Sequence, residues 1–399
     1  MHPKFRWTSV LLVLVCTLTL VIGSAGAKYP DYQTGFDEWL AGDGDYASWQ
    51  MSGSVLNADG ELVLDPATAT WETDPFAPDY YYEELYFYNG ASYWVGQATS
   101  RRIRPDFDFE ELIASWNADT PSGTWVEVLV RARLDTHWTK WYNLGIWASD
   151  SDAIQRHSVR QQGDDDGYVA IDTLKISDKK ALVRAYQLGV RLFSEDGVAT
   201  PSLRYLSAAY STMPIKKHEL SAGDPANWDT LLDVPECSQM VYPDGGNTWC
   251  SPTSTAMVVS YYINYTGPCE PMVRQAKDGV YDGVYDAYGN WPFNTAYAAT
   301  FGLQGSVRRF TSMNEIEAWV AQGVPVVISF AWGKNDLTGA PITSSSGHLS
   351  VVVGFDEAGN PIVNDPAAAS DEEVQRTYLR SELEPLWLHH TGGTVYLIK

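Results

Sequence analysis

The sequence predicts two architectures in one chain: an all-β sandwich, jelly-roll-like, over residues 28–213, then an α+β domain over residues 234–399. Three observations carry this. Residues 28–213 consist of short apolar or alternating runs separated by turn residues, the pattern of sandwiches and jelly rolls. Residues 214–233 break any period with Pro214, Lys216, Lys217, Ser221, Gly223 and Pro225, and read as a linker. Beyond them a helix-like stretch comes first and strand-like runs follow, which is an α+β order. With 399 residues, 45% of them hydrophobic, the chain has the length for two or three domains and the apolar content for sizeable cores.

Taken in order, residues 1–27 read as a signal peptide: Lys4 and Arg6 form a basic start, residues 11–22 are an apolar run too short to span a membrane, and Ala25-Gly26-Ala27 is a small-residue cleavage site. Cys16 follows Val15, a poor match to a lipoprotein site, and is discarded with the signal. The rest of the sequence has no second stretch of membrane-helix length, so the expected mature chain starts at Lys28, is soluble and is exported. Its formal net charge is −23, and loss of Lys4 and Arg6 takes it to −25. Such a charge repels nucleic acid and anionic lipid but says nothing about reaction type.

Within the first domain, Val55-Leu56 and residues 61–64 flank Asn57-Ala58-Asp59-Gly60, a hairpin signature. Residues 123–133 and 181–192 alternate like half-exposed strands, and residues 138–147 are aromatic and strand-like. Two features have alternative readings. The run Tyr80-Tyr81-Tyr82-Glu83-Glu84-Leu85-Tyr86-Phe87-Tyr88, with Tyr93-Trp94, suits sandwich packing, or stacking on the sugar rings of a cell-wall or carbohydrate ligand. Asp164-Asp165-Asp166 between Gly163 and Gly167 is a solvated turn or a calcium site, and its spacing fits no calcium loop.

In the second domain, Trp249-Cys250-Ser251-Pro252 opens a run of small and then apolar residues. Pro252 suits a first helical turn and Ser251 an N-cap, which sets Cys250 at the mouth of a helix N-terminus. The positive end of the helix dipole favours a thiolate there, the nucleophilic form. A lone cysteine is more often a small buried hydrophobe, so other residues must support the reading. Gln239 lies upstream. His348 opens an apolar strand-like run, Asp365 closes the next, and residues 356–360 between them are a turn signal. If Phe355 pairs with Asn360, His348 faces residue 367, and Asp365 lies diagonal to His348 on the same face, within side-chain reach. Trp291-Pro292 enters a helix, Ser312-Met313-Asn314-Glu315 is a capping box, and residues 326–330 are a buried strand. The mature chain keeps Cys237, Cys250 and Cys269. Cys237 and Cys269 bracket the Cys250 helix, so a bridge between them would leave Cys250 as the odd thiol.

A glutamine, a cysteine at a helix start, Gly347-His348 at a strand start and Asn364-Asp365-Pro366 at a strand end together resemble the papain-like cysteine peptidases. The resemblance is to the family 39-like branch, related to bacteriocin-processing double-glycine peptidases, and spans residues 234–399. Ser251 departs from the glycine that many relatives carry after the nucleophile. The resemblance implies a papain-like fold for this domain and a substrate cleft that Trp291 and Asn294 help to line. It implies Cys250 as nucleophile, His348 as base, Asp365 as its orienter and Gln239 as donor to the oxyanion. The expected function is that of a secreted peptidase acting on a peptide or protein. A peptidoglycan amidase or endopeptidase using the same residues, and a non-catalytic surface-binding protein, are the other readings. No cofactor or metal is expected, since the seven histidines show no paired ligand spacing and His389-His390 reads as an exposed pair.

Overall fold

The computed structural model describes residues 32–76, 85–178, 181, 183–213 and 220–399. The signal-like segment, residues 80–84 of the aromatic run, Leu182 and residues 214–219 of the linker lie outside the described residues.

The first half is a β-sandwich of one seven-stranded and one six-stranded sheet, paired antiparallel throughout. Strand Glu111–Asp119 pairs with Ser202–Ser211 in the first sheet, and Ala185–Ser194 lies between Ser92–Thr99 and Thr124–Arg133 in the second. The 55–64 hairpin forms with Asn57 as its pin, the Oδ1 accepting from the N–H groups of Asp59 and Glu61. Thr124–Arg133 alternates between buried and half-buried only in its second half. Tyr142–Trp147 is buried at every position: Phe293 from the second half packs on Trp147 at 5.4 Å between ring centroids, and Ile146 joins the cluster of Tyr88, Trp125 and Phe193. Within the described part of the aromatic run, Tyr88 and Tyr93 pack on Trp125 and Phe193, as sandwich core. The acidic turn is closed on itself: Asp164 Oδ1 accepts from Asp166 N, Gly167 N and the Tyr142 hydroxyl.

The second half is a seven-stranded antiparallel sheet with five helices. Across the sheet the strands run Gly305–Arg309, Thr394–Ile398, Val326–Trp332, Ser345–Phe355, Pro361–Asn364, Gln375–Thr377, and Thr230–Leu231 adds to Ser345–Phe355. The helices are α1 (Cys250–Tyr262), α2 (Cys269–Val280), α3 (Trp291–Ala299), α4 (Met313–Val320) and α5 (Arg380–Thr391). Strand alternation divides the apolar residues. Val327, Val351 and Tyr396 join the core that holds α1, α2 and α3, and Val326, Ile328, Val352 and Val395 join the core under α4 and α5. The first of these cores is continuous with the sandwich core, running from Ala41 to Ile398.

Two caps differ from expectation. Helix α1 starts at Cys250 with Trp249 before it, and the Ser251 hydroxyl bonds Tyr396 OH at 2.8 Å instead of a backbone N–H. Ser312 makes no side-chain cap bond. The Met313 N–H donates instead to Glu384 Oε1 of α5, and Glu315 accepts from Thr311 N, so a distant carboxylate takes the place of the local box.

Candidate active site

Helix α1 is buried from Ser251 to Ser260, as a helix without a polar face must be. It is fastened through Ser254 Oγ to Leu349 O, on the strand that carries His348, and through Thr255 Oγ1 to Asn294 Oδ1 on α3. Its first residue, Cys250, is a free thiol and stays partly exposed. Cys237 and Cys269 form a disulfide, tying the segment before α1 to the start of α2.

His348 and Asp365 are both buried. His348 Nε2 meets Asp365 Oδ1 at 2.7 Å. Asp365 Oδ2 accepts from Tyr378 OH at 2.6 Å and Oδ1 from Ala367 N at 2.9 Å. The Phe330 and Trp332 rings stand edge-on to the imidazole at 5.6 and 5.4 Å. Burial works to discharge His348, but the Asp365 carboxylate, with Cys250 on the other side, outweighs it and takes the pKa up to about 10. Burial likewise opposes ionisation of Asp365, and His348 with the Tyr378 hydroxyl holds its pKa below the usual carboxylate range.

The register that joins them differs from the counted one in an instructive way. Phe355 pairs with Pro361, one residue beyond the expected partner, and a bulge between Val352 and Gly354 then takes that residue back. Val351 therefore faces Asn364, so continuation of the register again sets His348 across from residue 367.

Gln239 lines the same cavity as Cys250 and His348, with a buried Oε1 that has no partner among the described residues. Its backbone N–H donates to Pro366 O, next to Asp365. Gly246 makes room for it, since a Cβ there would stand 2.0 Å from the Gln239 carbonyl oxygen. Trp291 lines the cavity. Asn294 does not reach it: the side chain is fully buried and its amide is spent on Thr255, Tyr288 O and Asn290 O. It positions α3 against α1. His389 and His390 are exposed at the end of α5 and border the cavity.

The cavity measures about 930 Å³ and is walled on one side by Ile171 and Asp172 of the sandwich. Sequence reasoning missed this wall, and also Tyr378, Phe330 and Trp332. None of them carries a local motif, and each reaches the site only through sheet pairing or the packing of the two halves. The arrangement offers a sulfur nucleophile, a carboxylate-held imidazole beside it and an amide side chain at one cavity surface, the parts that acyl transfer uses.

Two family models match the chain: residues 36–211 match the Peptidase C39 N-terminal domain and residues 231–395 the Peptidase C39 like family. No curated protein matches it. Among solved structures, a protein from Bacillus anthracis described as a C39-like peptidase aligns at 19% identity, covering 43% of this chain and 97% of its own, with a TM-score of 0.31. Carbohydrate-binding modules of the β-sandwich superfamily align at 11% identity over 41% of this chain and 57% of theirs, with a TM-score of 0.18. A family two carbohydrate esterase from Cellvibrio japonicus aligns at 12% identity over 58% of this chain and 51% of its own, with a TM-score of 0.19.

Proposed function

We propose that this chain, which belongs to the C39-like cysteine peptidases, is a secreted enzyme that cleaves peptide bonds through Cys250, His348, Asp365 and Gln239. The observation that carries this reading is the buried His348–Asp365 pair, Nε2 to Oδ1 at 2.7 Å, on the cavity that contains the free thiol of Cys250.

In the proposed reaction the Cys250 sulfur attacks the scissile carbonyl carbon as a thiolate beside imidazolium His348. The carbonyl oxygen takes the negative charge and receives hydrogen bonds from the Gln239 amide and the Cys250 N–H. As the C–N bond breaks, His348 gives its proton to the leaving amine, and a thioester remains on Cys250. Neutral His348 then takes a proton from water, whose oxygen attacks the thioester. The acid product leaves, and the thiolate–imidazolium pair is restored. Asp365 fixes the ring through Nε2, so that Nδ1 is the nitrogen left for Cys250.

Export rests on the signal-like start and on the Cys237–Cys269 disulfide, which suits an oxidising compartment. Among the described residues no helix is long and apolar enough to cross a membrane. The test is a cleavage profile of a whole-proteome peptide mixture with wild-type and Cys250→Ala protein. New peptide ends produced by wild type alone support the reading. A wild-type profile identical to that of Cys250→Ala rejects it, and release of cell-wall stem fragments without proteome cleavage assigns the same residues to peptidoglycan.

A further inference from the structure

The C-terminal half does not build its cleft alone. Ala170, Ile171, Asp172 and Thr173, which line the cavity holding Cys250, belong to a hairpin of the sandwich in which strand Gly167–Ala170 pairs with Thr173–Ile176. The turn between these strands is an uncommon one. Asp172 N donates to Ala170 O at 2.8 Å, a bond spanning two residues, and Ile171 at its centre has φ 62°. A γ-turn with positive φ is rare and strained. A β-branched residue makes it worse, since its branched Cβ crowds the backbone where glycine or asparagine would fit.

Core packing does not account for isoleucine at this point, because Ile171 is 36% exposed. Strain of this kind persists where neighbours over-determine it, and it concentrates at ligand clamps. The neighbours are visible here. Asp172 is buried; its Oδ2 accepts from the N–H of Trp291, the first residue of α3, at 2.8 Å, and its Oδ1 from Thr173 Oγ1 at 2.9 Å. The turn is thereby bolted to the helix whose Trp291 also lines the cavity. Two further exposed apolar side chains, Met213 and Met240, border the same space, and flexible thioethers adapt to varied apolar partners.

We propose that the 170–173 turn of the N-terminal sandwich is a wall of the substrate cleft, with Ile171 as a specificity-determining contact for a bulky apolar side chain of the bound peptide. The proposal rests on the cysteine peptidase reading above. It gives the N-terminal domain a part in choosing the substrate, apart from any carbohydrate or cell-wall ligand of its own.

The test uses the full chain and two peptidyl chloromethyl ketones that differ only in carrying leucine or glycine next to the reactive group, with iodoacetamide as a small control. Second-order alkylation rates of Cys250 are measured for wild type, Ile171→Gly and Ile171→Val. The wild type should prefer the leucine reagent by about tenfold or more, the usual range for an apolar contact. Ile171→Gly, which suits the positive φ and so folds, should lose most of that preference at an unchanged iodoacetamide rate and melting temperature no lower than wild type. Ile171→Val should keep it. A wild type without preference, a wild type that admits iodoacetamide but neither peptidyl reagent, or a preference equal in Ile171→Gly and wild type overturns the wall. Turnover is read separately: leucine preference without hydrolysis of any peptide sinks the peptidase reading and leaves the wall standing.

Discussion

Burial pulls His348 towards the neutral imidazole, and Asp365 with Cys250 pulls it further the other way. Its pKa of about 10 lies above the free value of 6.5, so its contribution to folding stability is complete below pH 6.5 and is lost as pH rises through 10. The same group should set the alkaline limb of kcat/KM near pH 10. In Asp365→Asn the largest stabilising charge is gone, so both the limb and the stability loss should shift towards neutral pH. A pH–rate profile and melting curves at matched pH read this out, and an Asp365→Asn limb still near 10 would assign the shift to another group. Tyr378→Phe removes one donor to Asp365 and should raise the acid limb while lowering kcat several-fold, because the carboxylate then loses a hydrogen bond that favours its charged form. Cys250 and Asp365 stood out in the sequence because each sits at an element boundary, Cys250 opening α1 and Asp365 following the strand Pro361–Asn364, whereas His348 lies three residues inside the strand Ser345–Phe355 and Gln239 lies in a loop. The register of His348 and Asp365 was legible only because the longer turn and the bulge cancel. Tyr378 lies just past the strand Gln375–Thr377 and has no local marker, and Asn294 was misread because a polar residue in a helix mouth looks the same whether it meets substrate or the neighbouring helix.

At the scale of elements, hydrophobic period and turn chemistry located α1, α3, α4 and fewer than half of the strands, and long-range polar contacts decided several of their ends. Helix α4 shows the difference. Its sequence carries a capping box, but Glu384 supplies the bond to Met313 N and also accepts from Ser221 Oγ, so one buried carboxylate joins α5, α4 and the 214–233 segment. Glu384→Ala leaves two donors without it and should cost about 1.5–3 kcal/mol per charged hydrogen bond. Urea unfolding should show a lower midpoint at unchanged slope, whereas Ser312→Ala should be nearly silent. A large Ser312→Ala loss would restore the local cap. The disulfide acts on the unfolded chain instead. It closes a loop with a sequence separation of 32, so its reduction should cost roughly 3–4 kcal/mol while Cys250 keeps its alkylation rate.

At the scale of the molecule, the strand Glu111–Asp119 explains why two sequence-readable halves share one core. Ile113 apart, its buried odd-numbered residues, Glu111, Ser115 and Asn117, have the polar pattern of a face meeting water, yet the strand is buried throughout except at Asp119. They meet Gly305–Arg309, the edge strand of the sheet in the second half. Asn117 donates to Gly305 O and accepts from Gly305 N, Ser115 Oγ accepts from Val307 N, and Glu111 pairs with Arg309 at 2.5 Å. The sandwich thus covers an edge that would otherwise be open to pairing with other chains. Alternation alone cannot reveal such a face, because the polar pattern is the same for water and for a neighbouring strand edge. Burial opposes the charge on Glu111, but Arg309 and Lys175 outweigh it and hold its pKa below the usual value, so its stabilising contribution is present above pH 4.5 and fades as pH falls. We propose the boundary between the halves within residues 214–233, and the covered edge fixes what separating them does. Glu111→Ala leaves Arg309 buried with Ser211 Oγ and should destabilise the whole chain by about 3–5 kcal/mol in a single transition, measured by denaturant unfolding. Residues 220–399 expressed alone expose Gly305–Arg309 and should self-associate, whereas the chain cut at a protease site inserted among residues 214–219 should elute as one particle. Halves that part on cutting, or a monodisperse 220–399 fragment, would show that the edge contact is incidental and that the sandwich is a separate module.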